Sequence, residues 1–512
     1  MKKVVLRSIL TAFAAAAICG GALSVAHADG NAPAAAPAVK AETPKAAAPA
    51  APVAPAAKVE PVKILAPTPA PAVAPAAGTS PYTTEFVQGN DFDKWCEDMK
   101  KPCDWFCWGA DYQYRAVYQN NNKTLSEDVA GHEQVYDRNV ARIWTTISPI
   151  EDVEINARFM WSWYDYWEPE SLEGTTLSEG FFDNLNVNFK NLFGGKSSFK
   201  VGRQDILLGE GWLVGEGTPG DGSRTGFFDA ARLTLDMPDC ATTADLIYIN
   251  DHTDSAAWLK PINDQNVDLA EQNEEGAIAY FTNKSVENTD ISPYFMYKRA
   301  EKVLSSGYDA SIYTPGVRVA GKIDENWKYR AEGAYQFGTH DGADISAFGA
   351  NTALQYFVND PMNNNFRLQY EFLSGDDPDS AQYEGFDTLW GRWARFSNIY
   401  ADAVRLEGAG RPADYSNLHR VGPGWSISPS DKVTIATDYY LLFADQSQGE
   451  VDAQTSDNGL FRGQLVSSVL TYKFNKHIAG HLLGEVYLPG NYYSHNNNDI
   501  ATYARYQLVL TF

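Results

Sequence analysis

At 512 residues the chain is long enough for one large barrel or several soluble domains, and its formal charge of −24 argues against nucleic acid as a partner. It carries 13 Trp, 28 Tyr and 25 Phe. No run beyond the first 28 residues approaches the roughly 20 apolar residues of a membrane-crossing helix, so helical spans are excluded while strand spans are not.

Lys2, Lys3 and Arg7 precede an apolar run over 9–25, and Ala26-His27-Ala28 follows. This is the basic, apolar and small-residue order of a secretory signal peptide, cut after Ala28. Ile18 before Cys19 fits a lipoprotein signal poorly, so lipidation is not expected. Residues 29–80 are almost wholly Ala, Pro, Val and Lys. Such a composition cannot build a core, and its prolines favour extended chain, so it reads as a disordered periplasmic tether, either a spacer or a holder of a cell-wall or periplasmic partner. Residues 81–105 form a Cys-containing periplasmic segment. In an oxidising compartment Cys96, Cys103, Cys107 and Cys240 are expected to form disulfides, with three pairings open. A bridge from 96–107 to Cys240 would pin that segment across the mouth of a barrel. The spacing of the cysteines matches no metal or haem signature, and neither a metal nor a cofactor is expected.

From 106 to 512 the chain breaks into amphipathic strands, near 107–119, 137–147, 153–163, 182–193, 198–208, 226–237, 242–250, 276–284, 291–300, 311–322, 327–338, 345–357, 365–374, 418–427, 432–444, 462–474, 477–488 and 500–512. In the third, Ile155, Ala157, Phe159, Trp161 and Trp163 alternate with Asn156, Arg158 and Ser162. Strand side chains point alternately to opposite faces, so one face is apolar and the other wet. The last stretch places Tyr506, Leu508, Leu510 and Phe512 on one face and Arg505, Gln507 and Thr511 on the other. A soluble protein rarely leaves such an edge bare, whereas a barrel closes its last strand on its first. Turns at one end are short, as at 324–326 and 429–431, and those at the other end are long, as at 375–417. The expected fold is all-β: a transmembrane antiparallel barrel of about 18 strands in the bacterial outer membrane, with short periplasmic turns and long outer loops.

The polar faces carry Arg115, Arg138, Arg142, Arg158, Arg232, Arg318, Arg330, Arg367, Arg420 and Arg505, with Lys190, Lys200 and Lys328. Inward acids are read at Asp111, Glu332, Glu371, Asp438 and Glu485, so the wall comes out net basic and suited to anions. Arg203 shares parity with Phe199 and Val201, and a bulge near Gly202 would re-aim it inward. His477, His481 and Glu485 share a face and read as ordinary lumen residues. No catalytic motif is found, and an enzyme is not expected.

The motifs Phe199-Lys200-Val201-Gly202-Arg203-Gln204 and Phe228-Asp229-Ala230-Ala231-Arg232-Leu233 resemble those of the alginate-export family of outer-membrane barrels. Ser374-Gly375-Asp376, Phe386-Asp387-Thr388-Leu389 and the stretch 418–429 continue the likeness in the same order. The resemblance implies a monomeric 18-strand barrel with an arginine-rich constriction passing an anionic polysaccharide, with Arg203, Asp229 and Arg232 at matching positions. The expected function is an outer-membrane channel for anionic polysaccharide or oligosaccharide. The alternatives are a porin for small solutes and a plugged structural or adhesive barrel anchored by its tether.

Overall fold

Side-chain alternation makes each segment stable only in a sheet with one apolar and one polar face, and that sheet forms. The computed structural model describes residues 91–169, 171, 178–215, 227–253, 259, 261–262, 272–303, 307–391, 394–403, 416–448, 454–456 and 458–512. The expected signal peptide and tether lie outside them. The strands are β1 (Phe106–Asn120), β2 (Glu133–Ile150), β3 (Val153–Glu168), β4 (Ser178–Leu192), β5 (Ser197–Gln204), β6 (Phe228–Met237), β7 (Thr242–Asp251), β8 (Asn273–Val286) and β9 (Thr289–Glu301). They continue as β10 (Ala310–Lys322), β11 (Trp327–His340), β12 (Ala343–Phe357), β13 (Asn365–Leu373), β14 (Leu418–Ser430), β15 (Val433–Phe443), β16 (Phe461–Lys473), β17 (Ile478–Pro489) and β18 (Ala501–Thr511).

Each strand pairs antiparallel with its sequence neighbours, and β18 returns to β1 to close an 18-strand barrel. At the closing seam Tyr112 lies opposite Leu510 and Arg115 opposite Gln507. The two faces of β18 separate as the alternation requires. Tyr506 and Leu510 are 37% and 40% exposed, while Arg505 and Gln507 are 9% and 3% exposed. The apolar face meets lipid and the polar face meets the lumen. Turns leading from even to odd strands are short and those from odd to even mostly long; the Asp341-Gly342 turn between β11 and β12 is short at the long-loop end.

Helix α1 (Asp91–Lys100) packs at the short-turn end of the seam. Its Trp95 ring stands 6.2 Å from Phe512, and Trp108 of β1 donates through Nε1 to Met99 O at 2.8 Å. Phe512 and Trp108 share the parity of the lipid-facing Leu510 and Tyr112, so α1 lies against the outside of the wall and not across the mouth. All four cysteines are free thiols, and the expected bridge to Cys240 is not formed. Cys107 and Cys240 do share the short-turn end, but β1 and the β6–β7 turn are five strands apart. At about 4.8 Å per strand that is roughly 24 Å along the wall, far beyond the reach of a disulfide.

Part of the interior is filled by the chain itself. After β5 ends at Gln204, four residues earlier than its alternation suggests, residues 205–215 turn inward. So do 374–391 and 394–403, the latter carrying helix α2 (Asn398–Ala403). The two segments join through a parallel bridge between Val214 and Trp390, and Trp212 stacks on Phe386 at 5.5 Å. Together with Ile249, Ile278, Met296 and Ile312 of the wall they form the buried apolar cluster. Wall glycines make room for the incoming rings. A Cβ at Gly276 would lie 2.5 Å from the Trp390 ring, and one at Gly349 would lie 2.6 Å from Phe386.

Two substitutions test this packing. Trp390→Ala should cost about 3–5 kcal/mol, and Gly276→Val should cost about 1–3 kcal/mol by overpacking the same contact. Both should appear as lowered urea midpoints in reconstituted protein, and made together they should fall short of the sum because they act on one site.

Candidate functional site

The register places the nominated arginines beside acids on adjacent strands. Arg142 of β2 lies opposite Asp111 of β1 and grips it twice, Nε to Oδ1 at 2.9 Å and Nη2 to Oδ2 at 2.7 Å. Arg158 donates to Asp183 at 2.8 Å and with both Nη atoms to Asp205 at 3.0 Å. Arg232 donates to Asp245 at 2.8 Å, and Arg367 grips Asp438 at 3.0 and 2.8 Å. Arg318 holds Glu210 through Nε at 2.7 Å and Nη2 at 2.5 Å; Arg330 lies 3.6 Å from the same carboxylate and donates to Asn351 at 2.8 Å. Arg420 lies 3.0 Å from Glu371, between the Phe396 and Tyr440 rings. Arg115 donates to Gln507 at 2.6 Å, Arg138 sits over the Tyr164 ring at 5.3 Å, and Arg505 donates to His481 at 2.9 Å.

Among the described residues eight of the eleven nominated arginines therefore hold a carboxylate within ion-pair distance. The expectation of few inward acids is corrected. Asp183 is turned in where the β3–β4 register shifts between Arg158 and Phe159. Asp205 and Glu210 arrive on the inward segment, and Asp245 shares a face with buried Ile247 and Ile249, where an apolar pattern hid it. Burial works against the charge of Glu210, but the Arg318 hydrogen bonds and the Arg330 charge outweigh it and hold this loop carboxyl below its usual range.

Arg203 and Asp229, the positions matched to the family motif, form a different kind of site. The β5 register runs through Gly202 without a bulge, so the expected bulge is absent; the local distortion is the φ of +117° at Gly202 itself. A Cβ there would meet Leu185 O at 2.4 Å, so only glycine fits. Arg203 is fully buried. It grips Asp229 at 2.9 and 2.8 Å, donates to Phe182 O and Leu259 O, and lies 3.9 Å over the Phe227 ring. This geometry staples the outer ends of β4–β6 together and presents no guanidinium to a solute.

Two residues hold the inward segments to the wall, and of these Lys298 escaped the alternation. Lys298, 2% exposed, ties Asp387 of the inward segment at 3.2 Å to Glu274 at 3.5 Å. It stands among Tyr294 and Met296 on an otherwise apolar face, the one signal that could have marked it. Glu485 accepts from Ser397 Oγ at 2.8 Å and from the Asn398 and Ile399 amides at 2.9 and 3.0 Å, so it anchors α2 to the wall. It makes no metal-like group with His477, whose Nδ1 lies 2.9 Å from Thr511 O.

A less compensated group faces the short-turn half of the lumen. Lys200 of β5 lies directly opposite Arg232 of β6, and among the described residues no carboxylate stands within ion-pair distance of Lys200. Like charges held opposite each other on a ladder are destabilising.

A family model described as alginate export matches residues 174–507. No curated protein matches the chain. Solved structures of similar architecture include Pseudomonas aeruginosa OccD3 (OpdP), at 10% identity over 79% of this chain and 91% of that one, TM-score 0.47. Acinetobacter baumannii OccAB4 follows at 12% identity over 79% and 97%, TM-score 0.48. Pseudomonas aeruginosa OccK5 (OpdH) stands at 13% over 79% and 98%, TM-score 0.47.

Asp229→Ala should strand the buried Arg203 charge and cost about 3–5 kcal/mol, read as a fall in the urea midpoint, while ion selectivity stays at the wild-type value. Glu485→Gln should cost about 1–3 kcal/mol, because the amide turns a donor toward donors it must accept from. Limited proteolysis should then cut within 394–403 faster than in the wild type.

Proposed function

The chain belongs to the alginate-export family of outer-membrane barrels, and from that premise we propose that it conducts an anionic polysaccharide or oligosaccharide through its arginine-bearing lumen. The observation that carries this reading is the opposition of Lys200 and Arg232. Asp245 offsets Arg232 but lies with that residue alone, so a carboxylate of a passing sugar acid supplies Lys200 with the counter-charge it lacks each time it enters. Arg158 and Arg142 extend the basic surface across the neighbouring strands. A bidentate carboxylate occupies only two of the five N–H donors of a guanidinium, so an ion-paired arginine keeps donors for a solute. The inward segments narrow the path, which favours extended chains passing in single file.

The second reading is a porin for small solutes. The arginine–carboxylate pairs of the wall favour it, because alternating neighbouring charges cancel at a distance and impose only a local transverse field. Substrate identity is what separates the two readings.

Single-channel recording in a planar bilayer under a KCl gradient tests the proposal. The wild type should show a reversal potential on the anion side and block by an acidic oligosaccharide. A charge about 8 Å away at an effective dielectric near 20 acts with about 2 kcal/mol. Lys200→Glu should therefore weaken that block at least about tenfold and move the reversal potential toward cations. A large, unselective conductance indifferent to Lys200→Glu would make the small-solute porin the better account.

A further inference from the structure

The arginine pairs of the lumen divide by the exposure of their acids. Among the described residues the carboxylates that meet Arg142, Arg158, Arg203, Arg232, Arg367 and Arg420 have side chains no more than 15% exposed. The Glu210 side chain is 34% exposed, and it serves two arginines, Arg318 and Arg330. It also comes from outside the wall, on a compact turn. Leu208 N donates to Val214 O at 3.1 Å and Gly211 N to Leu208 O at 2.9 Å. Gly209 and Gly211, on either side of Glu210, have φ of +56° and +76°, which glycine adopts at no steric cost. Leu208, Trp212, Leu213 and Val214 are buried in the apolar cluster, and Trp212 Nε1 donates to Glu371 at 3.0 Å. The turn is thus fixed through its flanks, and Glu210, the one charged residue of 208–214, reaches the wall arginines.

Removing Glu210 leaves neither arginine bare. Glu332 of β11, 8% exposed, lies directly opposite Arg318 of β10 and remains as a counter-charge on the neighbouring strand. Arg330 keeps its hydrogen bond to Asn351 at 2.8 Å. A glutamate and a sugar acid present the same planar pair of oxygens to a guanidinium. The geometry points to Arg318 and Arg330 as a subsite for one carboxylate of the passing saccharide, with Glu210 as its resident competitor. This rests on the anionic-saccharide reading above. In the resting channel Glu210 fills the site. A solute carboxylate displaces it by rotation of one side chain, and the turn stays in place. Glu210 then returns and helps the solute to leave, so the site binds without trapping what it conducts.

The test is block of single channels by trigalacturonate, with the full chain in a planar bilayer. A tethered group competes at an effective concentration on the order of millimolar, so a ligand that holds the bare fork at about 0.1 mM binds about tenfold more weakly in its presence. Glu210→Gln should therefore lower the half-blocking concentration about tenfold, and adding Arg330→Gln should remove most of that gain. A turn set loose by the substitution would instead raise the unit conductance and weaken block. Unchanged or weaker block in Glu210→Gln would overturn the inference. So would a gain that survives Arg330→Gln, which would mark a general effect of charge. Lys200→Glu separates this inference from the reading it rests on. Block that strengthens in Glu210→Gln but ignores Lys200→Glu keeps the subsite and removes the role of Lys200; block that weakens in Lys200→Glu but ignores Glu210→Gln does the opposite.

Discussion

Backbone amides and carbonyls in hydrocarbon must find each other, because no water is there to take their place. The structure answers this by pairing β18 with β1, and the bonding continues past the last strand: Phe512 N donates to Ala110 O at 2.8 Å. Once the ring is closed in this register, every other strand has one face toward lipid and one toward the lumen. Where the register is regular, parity sets which wall residues face the lumen, and it also sets the position of α1 outside the wall.

A barrel of this size encloses more space than its wall side chains can fill, and the chain fills part of that space with two of its own loops. These loops are not loosely placed. Glu210 is held by Arg318 and Arg330, Asp387 by Lys298, and α2 by Glu485. Each link crosses from wall to loop in a poorly hydrated interior, where an uncompensated charge would be costly. Apolar packing of Trp212, Phe386 and Trp390 supplies the cohesion, and the ion pairs set where the loops sit.

The strands were legible because each amphipathic run states its own period. The predicted ranges for β7, β11 and β13 match the observed ones closely for that reason. The site was legible in part. Alternation finds a basic residue on a polar face, but it cannot see an acid delivered by a loop such as Glu210, or one turned in by a register shift such as Asp183. It also misplaces residues beside irregularities. Arg462 reaches Tyr400 because the β15–β16 register shifts between Leu442 and Phe443. Arg203 showed the converse error, where a bulge was expected and a glycine with positive φ was found.

The sequence by itself determined the class of protein: amphipathic strands of membrane-spanning length, short turns alternating with long ones, an aromatic surface and the order of the family motifs. These are local properties, readable from neighbours a few residues apart. Only the tertiary structure decided the charge that a solute meets, because most of the arginines are balanced by an acid on another strand or on a loop far along the chain. It decided that Arg203 and Asp229 form a staple, that the cysteines lie too far apart around the wall to bridge to Cys240, and that α1 lies against the lipid side. Those facts depend on which strands the closing of the ring makes neighbours, and a one-dimensional pattern carries no record of them.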